Sequence, residues 1–367
     1  MQNIDYKEIN RIPSLTWNWL KMNRAALKTS LPENATHTMS IANTANAVIS
    51  TDENDFTAAE KAFIAATKAD ATEDAKSLIS LFGAETVTVR ATKRTKTEEP
   101  VRIHHEAKSG TSSCVKHAVI AEENTEITVI ADYTSEKTNN SENGFEAIRT
   151  ILHAKPNSKI HLVKVQLLQD DFSQVDGTFA LAEDGAQIRI TQIVLGGSNT
   201  YIDTKCTLSG YSSDFRCDTA YHAKSNQMLD MNYESVNIGS KSNTKMIVKG
   251  VVSDKATKTY RGTIDFKRGC TGSTGEEQEE TLLLSPTAVN KSLPVILCAE
   301  DDMSGTHGST IGRIGADELF YFQSRGIDEK AAEKILSQAK IKSIADEIPD
   351  EELKDKISAF IGIELDE

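Results

Sequence analysis

From about Glu85 to Ser285, apolar and polar residues alternate with a period of two in short runs: Thr86–Arg90, Glu126–Ile130, Lys159–Val165, Gln187–Val194, Met228–Val236, Lys245–Val251 and Thr259–Asp265. That period sends every second side chain to one face, as in a strand. Clusters of Gly, Asn, Asp and Ser, such as Asp184-Gly185-Ala186 and Gly196-Gly197-Ser198-Asn199, separate the runs and mark turns. No helical pattern of roughly 10–15 residues lies between them, which disfavours a βαβ sheet. Two architectures fit: an antiparallel sandwich, or a parallel β-helix whose coils repeat at roughly 20–25 residues. The long series of short strands leans to the β-helix without deciding the matter.

A different pattern frames this region. Thr16–Leu27 carries Trp17, Leu20 and Ala25 without alternation and predicts a helix. A second helix is expected to open at an Asp55 cap and run through Thr57–Ala69, rich in Ala, Glu and Lys. A third, Thr72–Phe82, would stop at Gly83. The Asn, Thr and Ser between Asn34 and Asn54 predict a mobile connection. Towards the C-terminus Asp317–Ser324 is short and aromatic-rich, and Asp328–Ala339 aligns Ala331, Ala332, Ile335, Leu336 and Ala339. After Pro349, Asp350 can cap a helix with Leu353, Ile357, Phe360 and Ile361 on one stripe. The expected division is a helical region over 1–83, a β core over 84–315 and a helical domain over 316–367.

Composition narrows the class. Only 6% of residues are aromatic, so the core is mainly aliphatic, and the net charge of −13 disfavours nucleic acid and anionic membrane surfaces as partners. No run approaches the roughly 18–20 apolar residues of a membrane span. The start, MQNIDYKEINRIP, has no basic-then-apolar pattern, so no signal peptide is expected. Five scattered cysteines without CxxC spacing argue against a disulfide framework or a zinc site, and for reduced thiols in a cytoplasmic protein.

Motifs for catalysis are scarce. Gly239–Lys245 lacks the second glycine of a P-loop, and Gly269–Gly275 leads into EEQEE rather than an apolar helix, so it fails as a dinucleotide fingerprint. No GxSxG elbow occurs. His104 and His105 are adjacent on a strand, point to opposite faces and read as surface histidines. His161 and Asp203 read as satisfied polar positions on a solvent face. His307 stands apart, in SGTHGSTIGRIG, where small neighbours leave an imidazole accessible, and imidazole is a good iron ligand. A lone histidine in such a turn is still more often structural than ligating.

Several motifs follow one another in order: Tyr260–Asp265, Glu277–Ser285, Leu293-Pro294, Ala299–Asp302, Thr306–Arg313 and Leu319–Ile327. Together with Pro13–Trp19 near the start, they resemble the SufB/SufD family, most strongly over Lys245–Ile327. The resemblance implies a right-handed parallel β-helix core flanked by α-helical N-terminal and C-terminal domains, which would decide against the sandwich. It also implies a non-enzymatic scaffold of the SufBCD complex in iron–sulfur cluster assembly. A SufB-like subunit would pair through the β-helix, and a SufC-like ATPase would bind the helices from about Asp328 to Ile363. SufB-type chains carry His-Glu where His307-Gly308 stands here, and a Cys-Asp-Ser motif whose cysteine falls at about Glu279. Both departures match the SufD type.

By its His-Gly motif, His307 then corresponds to a candidate ligand for a transient iron or iron–sulfur cluster at the SufB interface. Cys270 and Cys298 are nearby in sequence and are weaker candidates; the plain expectation is an inert loop thiol and a buried apolar cysteine. No stably held cofactor is expected in the isolated chain, and homodimer formation is open to it when alone. An alternative class, a β-helix carbohydrate-active lyase or hydrolase, would need paired carboxylates on a basic or calcium-binding groove, for which no spacing speaks.

Overall fold

The alternating runs become strands of two long parallel sheets. The computed structural model describes residues 2–16, 18–32, 37–45, 47–70, 86–92, 99–136 and 143–364. The first sheet stacks Val101–Ala107, Glu126–Ser135, Lys159–Leu167, Gln187–Val194, Asp214–Ala223, Asn243–Val252, Ser273–Leu283 and Met303–Gly312, in that order. The second stacks Thr86–Ala91, Ser112–Ala121, Gly144–Ala154, Phe172–Ala182, Asn199–Leu208, Met228–Asn237, Thr257–Phe266 and Val289–Cys298. Neighbours in each stack are parallel and in register: Lys159 lies over Glu126, Gln187 over Lys159 and Asp214 over Gln187. The chain is therefore a mainly β protein with a parallel β-solenoid core, and the sandwich is excluded.

Each coil places one strand in each sheet. Bonded side chains on successive coils lie 28 residues apart in His104 and Asp132 and 31 apart in Ser242 and Ser273. This exceeds the expected repeat because a coil holds two strands of 10 residues, such as Asp214–Ala223 and Met228–Asn237, plus two turns. The turns stack as well. Asn157 N–H donates to Asp184 O at 2.8 Å, Gly185 N–H to Tyr211 O at 2.8 Å and Ser212 N–H to Ser240 O at 2.9 Å. Asn157 (φ 55°), Gly185 (φ 63°) and Ser212 (φ 53°) take the left-handed conformation that turns the chain, one favoured by Gly and tolerated by Asn.

Alternating side chains meet between the sheets in one core running from Val89 to Cys270, mainly aliphatic but with Tyr133, Phe215, Tyr221, Tyr233, Tyr260 and Phe266 buried in it. The outer faces are covered too. Helices α3 (Glu329–Ala345) and α4 (Glu351–Glu364) lay Ile341, Ile344, Leu353, Ile357 and Ile361 on Val163, Val165 and Ile193 of the first sheet. On the second sheet, a hairpin of Gln2–Ile9 with Ala25–Leu31 buries Ile4, Tyr6 and Leu27 against Phe145 and Ala147. Helix α1 (Ala58–Asp70) packs Phe63 and Ile64 beside it, against Ala118, Ile120 and Ile151. A shorter helix, α2 (Ala316–Ser324), buries none of its residues. No helix among the described residues is long and apolar enough to cross a membrane.

The N-terminal region departs from the helical expectation. The described residues of Thr16–Leu27 give only a 3-10 turn at Asn18–Leu20 before entering the strand Ala25–Leu31. The stretch expected to be a mobile connection holds strands His37–Ala42 and Ala47–Ser50, which pair antiparallel with Val101–Ala107 and Thr86–Ala91 and close one end of the solenoid. These short segments gain from sheet edges formed far along the chain, which local pattern does not reveal. Helix α1 forms as expected, but its cap is Thr57, not Asp55. The Thr57 hydroxyl accepts from Glu60 N–H at 3.3 Å, and the Glu60 carboxylate accepts from Thr57 N–H at 2.8 Å. The third expected helix, Thr72–Phe82, lies outside the described residues.

Candidate functional site at the open end

The far end of the solenoid is not closed. Among the described residues, Met303–Gly312 pairs only with Ser273–Leu283, and Val289–Cys298 only with Thr257–Phe266, so each presents a free edge there. An edge of unpaired N–H and C=O groups is a template for another strand. His307 sits on this last rung and is exposed. Its register partner is Glu277, whose side chain is buried between the sheets. Partners on parallel strands share a face, so His307 lies on the inner side and is open because no coil stacks beyond it.

Beneath it is a built polar floor. Glu279 is buried and forms an ion pair with Lys258, itself fully buried. Ser309 Oγ donates to Glu279 Oε2 at 3.0 Å, Thr281 Oγ1 to Oε1 at 3.3 Å, and Ser292 Oγ also donates to this carboxylate. The Lys258 ammonium lies 5.3 Å from the Tyr260 ring centroid and 5.6 Å from that of Tyr221. Burial pushes the Glu277 carboxyl up to about 8, and the charge of Glu279 adds to the rise. Burial also lowers Lys258, while Glu279 opposes the shift. Glu279, where the SufB-type cysteine would fall, is thus an ion-paired carboxylate in register with Ser309, two residues from His307.

The two cysteines fare differently, and only Cys298 departs from expectation. Cys270 lies, as expected, in a loop, the turn between Thr257–Phe266 and Ser273–Leu283, and its thiol is buried in the main core, where burial raises its pKa. Cys298, expected to be buried, is exposed at the end of an edge strand. Among the described residues no three of His, Cys, Asp and Glu converge as a metal site. The end of the solenoid alone therefore offers one accessible imidazole rather than a complete ligand set.

Of the histidines and Asp203 singled out elsewhere in the sequence, only His105 departs from expectation. His104 faces outward, 2.6 Å from Asp132 Oδ2, but His105 is buried, its Nε2 3.1 Å from His117 Nε2 and its ring stacked on Tyr133. His161 bonds Thr191 Oγ1 at 2.9 Å, and burial lowers it to about 4. Asp203 accepts from Asn232 Nδ2 at 2.9 Å and is held up to about 6 by burial. Sequence reasoning missed a second interior pair, Lys164 with Asp176, which Thr178 joins at 3.0 Å. Polar residues at inward positions of otherwise apolar runs were the available sign of it.

A two-sheet parallel solenoid with helices packed on its first sheet defines the class: a parallel β-solenoid protein. The chain belongs to the SufBD core family: residues 91–340 match the family model for "SUF system FeS cluster assembly, SufBD core domain". It is 23% identical over 284 residues to the iron–sulfur cluster assembly protein SufD of Bacillus subtilis (strain 168), covering 73% of this chain and 62% of that relative. Against SufD of Escherichia coli (strain K12) it is 26% identical over 253 residues, covering 68% of this chain and 58% of the relative. A SufBD family protein of Synechocystis is 26% identical over 164 residues, 45% of this chain and 34% of the relative. The chain thus spans less than two thirds of these relatives' lengths. Nothing in the fold or the comparisons favours a carbohydrate-active enzyme.

Proposed function

We propose that this chain is a SufD-type scaffold subunit in SUF iron–sulfur cluster assembly, without enzymatic activity of its own and working in the cytoplasm. The observation that carries this reading is the open last coil, with two free edge strands and an exposed His307 on the inner side of the terminal rung. A SufB-like subunit would add its own solenoid end there. His307 would give one ligand to a transient iron or cluster, with partner thiolates or carboxylates completing the set. Cys298 is a weaker donor, and the burial of Cys270 argues against it.

A SufC-like ATPase would dock on the helices from about Asp328 to Ile363, beside the exposed Phe320, Tyr321 and Ile335. The right-handed winding implied by the resemblance belongs to the same proposal. Co-expression with SufB-like and SufC-like subunits is expected to recover all three together, and the chain alone is expected to hydrolyse no ATP. Failure to retain either subunit in a pull-down would refute the scaffold role. His307→Ala is expected to leave the circular dichroism and melting curve unchanged and to slow cluster assembly by the complex roughly tenfold or more. Unchanged assembly would remove His307 from the site.

A further inference from the structure

On the outer face of the second sheet, far from the open end, one in-register row runs Thr86, Lys116, Arg149, Gly177, Asp203. Lys116 and Arg149 are therefore lateral neighbours, and like charges placed so are destabilising unless something answers them. Arg149 is only 6% exposed. Its Nη2 donates to Thr67 Oγ1 at 2.5 Å, and its guanidinium lies 5.0 Å from the Phe179 ring centroid, but Nη1 is buried with no partner among the described residues. A buried guanidinium nitrogen without an acceptor is costly.

Among the described residues, the nearby groups do not answer the charge. Asp203 stands beyond Gly177 and accepts its bond from Asn232. Burial pushes the neighbouring Cys114 thiol up to about 11, so it is neutral, and burial lowers Arg149 itself to about 10. Beside this pair opens a cleft of about 340 Å³. Lys61 of α1 joins Lys116 and Arg149 in lining it, Phe56, Ile64 and Ile151 give it an apolar wall, and among the described residues no Asp or Glu lines it. Three cations from three elements line this one cleft in a chain of net charge −13.

We propose that this cleft binds a small phosphate-bearing anion, its oxyanion held by Arg149, Lys116 and Lys61 and its remainder resting on Phe56 and Ile64. A multiply charged oxyanion answers several cations at once, and charge-assisted bonds at a buried guanidinium are strong. The site is independent of the scaffold role, since none of its residues belongs to the open end.

Full-length chain titrated with inorganic phosphate, pyrophosphate and succinate at fixed ionic strength tests this, read by Tm and by calorimetry. Phosphate or pyrophosphate is expected to raise Tm in a dose-dependent way, and succinate to act far more weakly. Arg149→Met and Lys116→Gln are each expected to weaken binding roughly tenfold or more. Lys61→Gln, at an exposed position on α1, keeps the test readable if Arg149→Met fails to fold, and a severalfold loss is expected there. No rise with either phosphate species, or an undiminished response in both lysine variants, overturns the proposal. Equal stabilisation by succinate overturns the phosphate class.

Discussion

A lysine shut off from water is tolerated only when its charge is answered, and Lys258 has the Glu279 carboxylate beside it with three hydroxyls completing that acid's bonds. Lys258→Met would leave Glu279 charged and buried, so a loss of about 3–5 kcal/mol is expected from urea denaturation. The double variant Lys258→Met with Glu279→Leu is expected to regain most of it, because an apolar pair of similar size removes both charges together. A single-variant cost under about 1 kcal/mol would show the pair to behave as an exposed one. Little of this was legible. His307 stood out because small neighbours are a local sign, whereas the Lys258–Glu279 pairing depends on register between distant strands, and EEQEE in isolation suggests a solvated turn rather than Ser273–Leu283 with every second residue facing inward.

At the scale of elements, legibility followed how local the determinants are. Helix α4 was readable because its cap and stripe lie within one segment: Asp350 Oδ1 accepts from Leu353 N–H at 2.9 Å, and Leu353, Ile357 and Ile361 are buried. Helix α3 was read short and partly turned. It continues to Ala345, buries Ala332, Ile341 and Ile344, and leaves Ile335 44% exposed. Strands with both faces covered, such as Gly144–Ala154, lost the alternation that would have announced them. Since α4 packs only from outside, Ile357→Ala is expected to cost about 2–5 kcal/mol of its docking. Hydrogen exchange should speed up across Glu351–Glu364 while the solenoid strands stay protected. Unchanged protection there would mean that Ile357 is not what holds the helix down.

For the whole molecule the decisive property is that the two ends differ. Among the described residues, one end is closed by the antiparallel strands His37–Ala42 and Ala47–Ser50, and the other finishes in the free edges of Val289–Cys298 and Met303–Gly312. A solenoid with two open ends would stack into filaments, whereas one open end permits a single closed pairing. Without another subunit, two copies are therefore expected to meet edge to edge in a twofold dimer and to grow no further. Sedimentation velocity over a wide concentration range should show monomer and dimer only. Thr306→Glu with Thr310→Glu, both exposed on the last strand, would set like charges against each other across that axis and is expected to shift the equilibrium to monomer. Species larger than a dimer, or a dimer indifferent to these charges, would show that the open end is not the surface through which the chain associates.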